Sequence, residues 1–216
     1  MKTYIFDIDH TLLKSATGIY FVREGLARKL FLRRQLVRIP IVLLKYRMGF
    51  LEGSIVEREI PFMKGLTRDQ LEDLGRKGFE NYGLSDIYRD ALDLIQQLKD
   101  KGHHVLFATS SFDYSVLPVA EYFGVHDVIA SSFEFKEGFC TGFIEGRAAF
   151  GDSKKSKVIA YLEEKGIDKD DCVFYSDSHH DLPLLQYVGK AVAVNPDRKL
   201  KAFALANQWE ILKFRQ

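Results

Sequence analysis

Tyr4-Ile5-Phe6-Asp7-Ile8-Asp9-His10-Thr11-Leu12 stands almost at the start of the chain, and its reading decides the fold. Tyr4 to Phe6 is a short apolar run of the kind that forms a buried strand. Two aspartates two residues apart follow it directly. In extended chain, residues i and i+2 point to the same side, so Asp7 and Asp9 can converge on one spot. Two carboxylates held that close repel each other unless a cation or a shared proton compensates. In a parallel sheet the spot lies at the carboxyl end of the strand, where ligands bind. Asp7 and Asp9 are therefore candidates to bind a divalent metal and carry phosphoryl chemistry. The alternative is an Asp-rich turn that ends a strand and caps a helix.

Whether a parallel sheet exists is decided further along. From Asp86 the pattern alternates between helix and strand. Tyr88, Ala91, Leu92, Ile95 and Leu98 follow helical spacing, and Lys101-Gly102 supplies a stop. Val105 to Ala108 reads as a buried strand, Asp113 to Phe123 as a helix ended by Gly124, and Val128 to Ala130 as a short strand. Lys136-Glu137-Gly138 suits a hairpin turn. Ser153 to Lys165 is a helix stopped at Gly166, Cys172 to Tyr175 a strand, Leu182 to Val188 helical, and Ala191 to Val194 a strand closed by Asn195-Pro196. Such alternation implies right-handed βαβ units around a parallel sheet.

Between the first strand and this region the composition is helical, with no convincing strand from Leu12 to Leu84. Gly49, Gly53, Pro61, Gly65, Gly75 and Gly83 read as breaks between short helices. Leu26 to Met48 is basic and apolar, carrying Arg28, Lys29, Arg33, Arg34, Arg38, Lys45 and Arg47, with Pro40 set to kink or split any helix there. It suits weak contact with a membrane surface or an anionic substrate tail. The favoured reading is an ordinary helical face whose long basic side chains lie over their own core.

Three further places can carry chemistry. Thr109-Ser110-Ser111 follows the strand at Val105 to Ala108, and hydroxyls with free backbone N–H groups there make a phosphate cradle or, alternatively, a helix N-cap. Gly151-Asp152-Ser153-Lys154-Lys155-Ser156-Lys157 opens a helix with lysines that oppose its dipole. A lysine that neutralises a phosphate or an aspartate would justify that placement, and a solvated basic surface is the other reading. Ser176-Asp177-Ser178-His179-His180-Asp181 follows the strand at Cys172 to Tyr175. Hard cations such as Mg²⁺ take carboxylate oxygens together with phosphate and water. Adjacent His179 and His180 are not spaced as zinc ligands on one face.

Composition narrows the class. A chain of 216 residues with 46% hydrophobic and 13% aromatic residues can bury a sizeable core, which argues against disorder. A net charge of +1 gives no case for nucleic-acid binding. The two lone cysteines, Cys140 and Cys172, fit a reducing compartment. The acidic motif begins at residue 7, which leaves no room for a signal peptide, and no segment reaches the roughly 18 to 20 apolar residues of a membrane span. The expected location is cytoplasmic.

The motifs in this order resemble the haloacid dehalogenase superfamily, in its phosphoserine phosphatase-like branch. The resemblance covers about residues 1–13 and 86–216. Asp7-Ile8-Asp9-His10-Thr11 matches the DxDxT motif, Thr109 the second-motif hydroxyl, and Asp177 to Asp181 the DxxxD motif. Ser176 to Pro183, with Val192-Ala193-Val194-Asn195-Pro196-Asp197 after it, resembles a broad bacterial set of this branch. Gly151-Asp152-Ser153-Lys154 resembles the GxxK form of the lysine motif. Lys155, in Lys155-Ser156-Lys157-Val158-Ile159, resembles another form.

The resemblance implies a Rossmann-like α/β core at 1–13 and 86–216, with an all-helical cap at 14–85. It implies a Mg²⁺-dependent phosphatase acting on a small phosphorylated metabolite, with Asp7 as nucleophile and Asp9 as acid and base. Mg²⁺ would be held by the Asp7 carboxylate, the Asp9 backbone carbonyl and Asp177, with Asp181 in support. Thr109, Ser110, Lys154 and Lys155 would serve the phosphoryl oxygens. An aspartate at position 9 favours phosphate esters over dehalogenase substrates. Phosphoserine phosphatases carry a glutamate that reads the substrate's amino group where this sequence has Ala16, with Glu24 further on. Ser110-Ser111 also replaces their Gly-Gly, so phosphoserine itself is not the expected substrate. A lipid phosphatase or a phosphotransferase on the same fold is the alternative. A binding protein with lost activity would show a damaged motif, and none is seen.

Overall fold

A computed structural model describes residues 1–31 and 60–215. Six strands form one parallel sheet: β1 (Thr3–Phe6), β2 (His104–Phe112), β3 (Asp127–Ser131), β6 (Cys172–Ser176), β7 (Lys190–Val194) and β8 (Glu210–Leu212). Their spatial order is β3-β2-β1-β6-β7-β8, so the first strand lies inside the sheet. A separate antiparallel hairpin joins β4 (Phe133–Lys136) to β5 (Phe139–Ile144). The described helices are α1 (Thr17–Ala27), α2 (Arg68–Gly78), α3 (Arg89–Asp100), α4 (Asp113–Phe123), α5 (Asp152–Lys165), the short α6 (Leu182–Leu185) and α7 (Arg198–Ala206). The architecture is the expected α/β one.

Strand alternation explains the layers. Phe6, Val105, Phe107, Val173 and Tyr175 face one side with Ala91, Ile95 and Leu98 of α3 and Val116, Val119 and Phe123 of α4. Ile5, Leu106, Ala108, Cys172 and Phe174 face the other with Val158 and Leu162 of α5, Leu184 of α6 and Leu200 of α7. Both faces are buried, which is why the strands read as unbroken apolar runs. A third cluster joins Phe21 and Phe31 to Met63, Leu66, Leu71 and Leu74, against Tyr114 of α4 and Phe133 and Cys140 of the hairpin. The hairpin also bonds the segment before α2 through its backbone. Ile60 N–H donates to Gly142 O at 2.7 Å, Gly65 N–H to Cys140 O at 2.8 Å, and Cys140 N–H to Leu66 O at 2.8 Å.

The structure corrects several expectations. Gly75 does not break a helix but sits inside α2. A Cβ there would lie 1.7 Å from the carbonyl oxygen of Tyr114, so the glycine exists to let α2 touch the backbone of α4. Strand β2 runs on through Thr109, Ser110 and Ser111 to Phe112, and α4 has no side-chain cap, so the helix-cap reading of those hydroxyls falls. The helix after Asp181 stops at Leu185 rather than Val188. The C-terminal α7 and β8 had no counterpart in the pattern. The expected hairpin turn is there, narrowed to two residues between the strands, Glu137 and Gly138, which both take positive φ. Of the basic stretch Leu26 to Met48, everything from residue 32 lies outside the described residues. Among the described residues no helix is long and apolar enough to cross a membrane.

Candidate active site

Register brings the candidate residues together. Phe6 pairs with Phe107 on one side and Tyr175 on the other. Asp7 is the next residue of its strand, and Thr109 and Asp177 each lie two past those partners. All three therefore lie just beyond the point where β1 stops pairing with its neighbours. The backbone N–H of Asp7 still donates to Tyr175 O at 2.9 Å, which fixes the carboxylate at the sheet's rim. Beyond it the chain turns sharply, with Leu12 N–H donating to Ile8 O at 2.8 Å and His10 at φ 60°. The His10 ring is exposed and hydrogen-bonds the Lys14 carbonyl at 2.7 Å, holding the loop.

Lys154 is the electrostatic centre. Its side chain is only 1% exposed, and its ammonium donates to Asp7 Oδ1 at 2.8 Å and to Asp181 Oδ1 and Oδ2 at 2.9 and 2.8 Å. Ser176 Oγ donates to Asp181 Oδ2 at 2.6 Å, so both oxygens of Asp181 are engaged. Burial works against the lysine's charge, but Asp181 and Asp7 outweigh it and hold the ammonium above its ordinary range. Asp7 goes the other way. Burial, with repulsion from Asp181 and Asp9, pushes its carboxyl up to about 7 against the pull of Lys154. Asp177 is likewise raised well above the ordinary carboxylate value, by burial and then by the charges of Asp7 and Asp181.

Thr11 ties the two acidic loops together. It is fully buried, its Oγ1 lies 3.5 Å from Asp7 Oδ2 and 3.4 Å from Asp177 Oδ1, and it accepts the Asp177 N–H at 3.0 Å. Asp9 points elsewhere. Its Oδ1 accepts the Thr17 N–H at 2.8 Å, and its Oδ2 accepts the Ser111 hydroxyl at 2.5 Å. Thr109 is buried, its Oγ1 accepting the Ser111 N–H at 3.2 Å, and the Ser110 carbonyl accepts Ser131 Oγ at 3.3 Å.

A family model described as haloacid dehalogenase-like hydrolase matches residues 4–186. The chain belongs to the haloacid dehalogenase-like hydrolases. Among relatives in this family, a Mycobacterium tuberculosis protein named phosphoserine phosphatase SerB1 is 28% identical over 97% of this chain and 70% of its own length. A Neisseria meningitidis protein named histidinol-phosphatase is 27% identical over 98% of each. A crystal structure of a Bordetella pertussis protein of unknown function superposes with a TM-score of 0.84 at 26% identity, covering 98% of both chains.

For a haloacid dehalogenase-like hydrolase, the two candidate lysines now part company. Helix α5 turns Lys154 inward, whereas the Lys155 ammonium lies 5.3 Å from the Tyr187 ring, away from the carboxylates. The placing of Lys155 at the phosphate is thus corrected by one step of helical rotation. The expected metal set called on the backbone carbonyl of Asp9 rather than its side chain, and placed Asp181 only in support. Among the described residues no group of three or more His, Cys, Asp and Glu forms a ready-made metal cluster. The Asp9 side chain is turned to Ser111 and Thr17, and Asp181 is engaged by Lys154 and Ser176. Asp7 and Asp177, bridged by Thr11, are the carboxylates left to meet a cation. His179 is committed to Asp197, with Nδ1 2.7 Å from Oδ2, which suits support rather than ligation. Sequence reading passed over Thr17 and Ser176 as site residues, and placed Ser111 in a phosphate cradle rather than against Asp9. Ser111 had a visible signal, standing where related enzymes have glycine.

Proposed function

We propose that this chain is a Mg²⁺-dependent phosphatase that hydrolyses a small-molecule phosphate monoester through an aspartyl-phosphate on Asp7. The observation that carries the reading is the buried Lys154 ammonium held between Asp7 and Asp181. A nucleophile that is buried, oriented by one cation and still short of positive charge is prepared for an anionic substrate with its metal. The donor set fits Mg²⁺: two carboxylates, Asp7 and Asp177, whose protons are held tightly by burial and by neighbouring carboxylates, together with the Asp9 carbonyl oxygen. Held by those oxygens, Mg²⁺ would supply charge neutralisation for the phosphoryl group.

An Asp7 carboxylate oxygen attacks phosphorus in line. The bond from phosphorus to the ester oxygen breaks, and its electron pair leaves on that oxygen, which takes a proton from Asp9. Asp9, now a carboxylate, removes a proton from the water that attacks the aspartyl-phosphate. The bond between phosphorus and Asp7 breaks, giving phosphate and free Asp7. Lys154, with the Thr109 hydroxyl, stabilises the charge spread over the phosphoryl oxygens.

Residues 14–85 form, in this reading, the helical cap that closes the site and selects the alcohol. Glu24 does not read a substrate amine. Its oxygens accept Arg28 Nε at 2.6 Å and Asn81 Nδ2 at 2.9 Å inside the helical layer. That supports an alcohol other than serine, and the relatives named for phosphoserine and for histidinol phosphate mark how widely it varies. Release of phosphate from an aryl phosphate and from a panel of phosphorylated metabolites, with and without Mg²⁺, tests the reading. Wild type and Asp7→Asn equally inactive across that panel would overturn it.

A further inference from the structure

Asp9 is gripped from two sides, by the Thr17 N–H on Oδ1 and by the Ser111 hydroxyl on Oδ2. The second contact depends on a local break in the sheet. Pairing of β2 with β3 is regular from Leu106 to Ala108 and resumes only at Phe112 with Ser131. Between those points Thr109 Oγ1 accepts the Ser111 N–H, which bends the chain and brings Ser111 to Asp9.

The contacts continue into a closed ring. Thr17 Oγ1 lies 3.3 Å from Ser115 Oγ, and Ser115 Oγ donates at 2.7 Å to the carbonyl of Phe112, the neighbour of Ser111. Thr17 and Ser115 are both buried. The ring therefore joins the loop after β1, the start of α1, the first turn of α4 and the irregular end of β2.

An aspartate side chain has two rotatable bonds, and a partner on each oxygen fixes both. The Thr17 N–H can only donate. The serine hydroxyl can donate to a carboxylate and accept from a carboxylic acid, so its contact survives both halves of a reaction that passes a proton through Asp9.

We infer that Ser111 is the positioning residue for Asp9, holding its carboxyl where the departing ester oxygen needs a proton, with the first N–H of α1 as the opposing clamp. This rests on the reading of Asp9 as acid and base. A misplaced acid harms a poor leaving group and spares a good one, because para-nitrophenolate departs without a proton and an alkoxide does not. The test compares kcat/KM, which covers only the steps up to phosphoryl transfer onto Asp7, for para-nitrophenyl phosphate and for a primary alkyl phosphate. Ser111→Ala is expected to lower the alkyl-to-aryl ratio of kcat/KM by about tenfold or more, given what a 1 Å misplacement does to a rate. Ser111→Thr, which keeps the hydroxyl, is expected to restore most of it. Because the readout is a ratio, loss of folded protein cancels. An unchanged ratio in Ser111→Ala, or a Ser111→Thr as impaired as Ser111→Ala, overturns the inference. Wild type inactive on both esters overturns instead the phosphatase reading beneath it.

Discussion

A single ammonium, that of Lys154, stands between two carboxylates that would otherwise repel each other in a dry site. Removing one partner from a buried ion pair leaves an uncompensated charge, which destabilises by about 3–5 kcal/mol. Lys154→Ala is accordingly expected to lower Tm by roughly 10 °C for a domain of this size and to reduce phosphatase turnover by about a hundredfold or more. Lys155→Ala, which gives up only a ring contact with Tyr187, is expected to keep near wild-type turnover, and equal loss in the two variants would reverse the assignment. The acidic residues make a pH prediction. Asp7 and Asp177 hold their protons more tightly folded than unfolded. Through the window from the ordinary value of 3.8 up to about 7, the folded state therefore binds more protons. Stability of metal-free protein thus falls as pH rises through that window. Added Mg²⁺ competes with those protons, so its stabilising effect should grow between about pH 5 and pH 7.5. Thermal melts with Mg²⁺ and with chelator check this, and a Mg²⁺ shift of the same size at both pH values would contradict it.

At the level of elements, α2 and α4 approach so closely that only glycine fits at position 75. Gly75→Ala gains about 1 kcal/mol of helix propensity, yet its methyl would overlap the Tyr114 carbonyl. Overpacking that displaces backbone costs about 1–3 kcal/mol or more, so the variant should unfold at lower urea concentration than wild type. An unchanged or raised midpoint would show that the helices separate freely. Gly75 also shows where sequence reading stops. Gly124 and Gly166 were legible as helix ends because each follows a periodic helix and takes the left-handed conformation. Gly75 looked the same in one dimension, but its reason is a neighbour nearly forty residues away in the chain. The strands β1, β2 and β6 were legible because burial on both faces leaves unbroken apolar runs, and the acidic motifs were legible because they follow those runs directly. By contrast, α7 buries little beyond Leu200 and Ala204, and β8 is three residues at an edge, none of them buried, so neither left a pattern. Lys154 and Lys155 could be separated only by the direction α5 faces, and Ser111 only by the break in pairing that turns it to Asp9.

For the molecule as a whole, the C-terminal segment closes one edge of the sheet. Asn195 N–H donates to Leu212 O at 2.9 Å, Phe214 is buried in the main core, and Arg215 N–H donates to Asp90 Oδ2 at 2.8 Å. Deleting residues 208–216 removes a buried phenylalanine, worth about 3–5 kcal/mol, and leaves β7 with an open edge. The shortened chain should melt at a lower urea concentration and scatter light at concentrations where the full chain stays clear. An unchanged urea midpoint would mean that the edge strand contributes little.

The place of β1 inside the sheet has a consequence for how the protein is made. Phe6 is synthesised 169 residues before its partner Tyr175. At ordinary elongation rates that interval is on the order of ten to thirty seconds. Throughout it an apolar strand bearing Asp7 waits with one flank unfilled, exposed to wrong partners. A nascent chain stalled before Tyr175 would carry Asp7 and Lys154 but lack the Asp177 loop. Competence therefore arrives late and all at once, and shielding of the first strand during translation is expected to govern yield more than the stability of the finished enzyme.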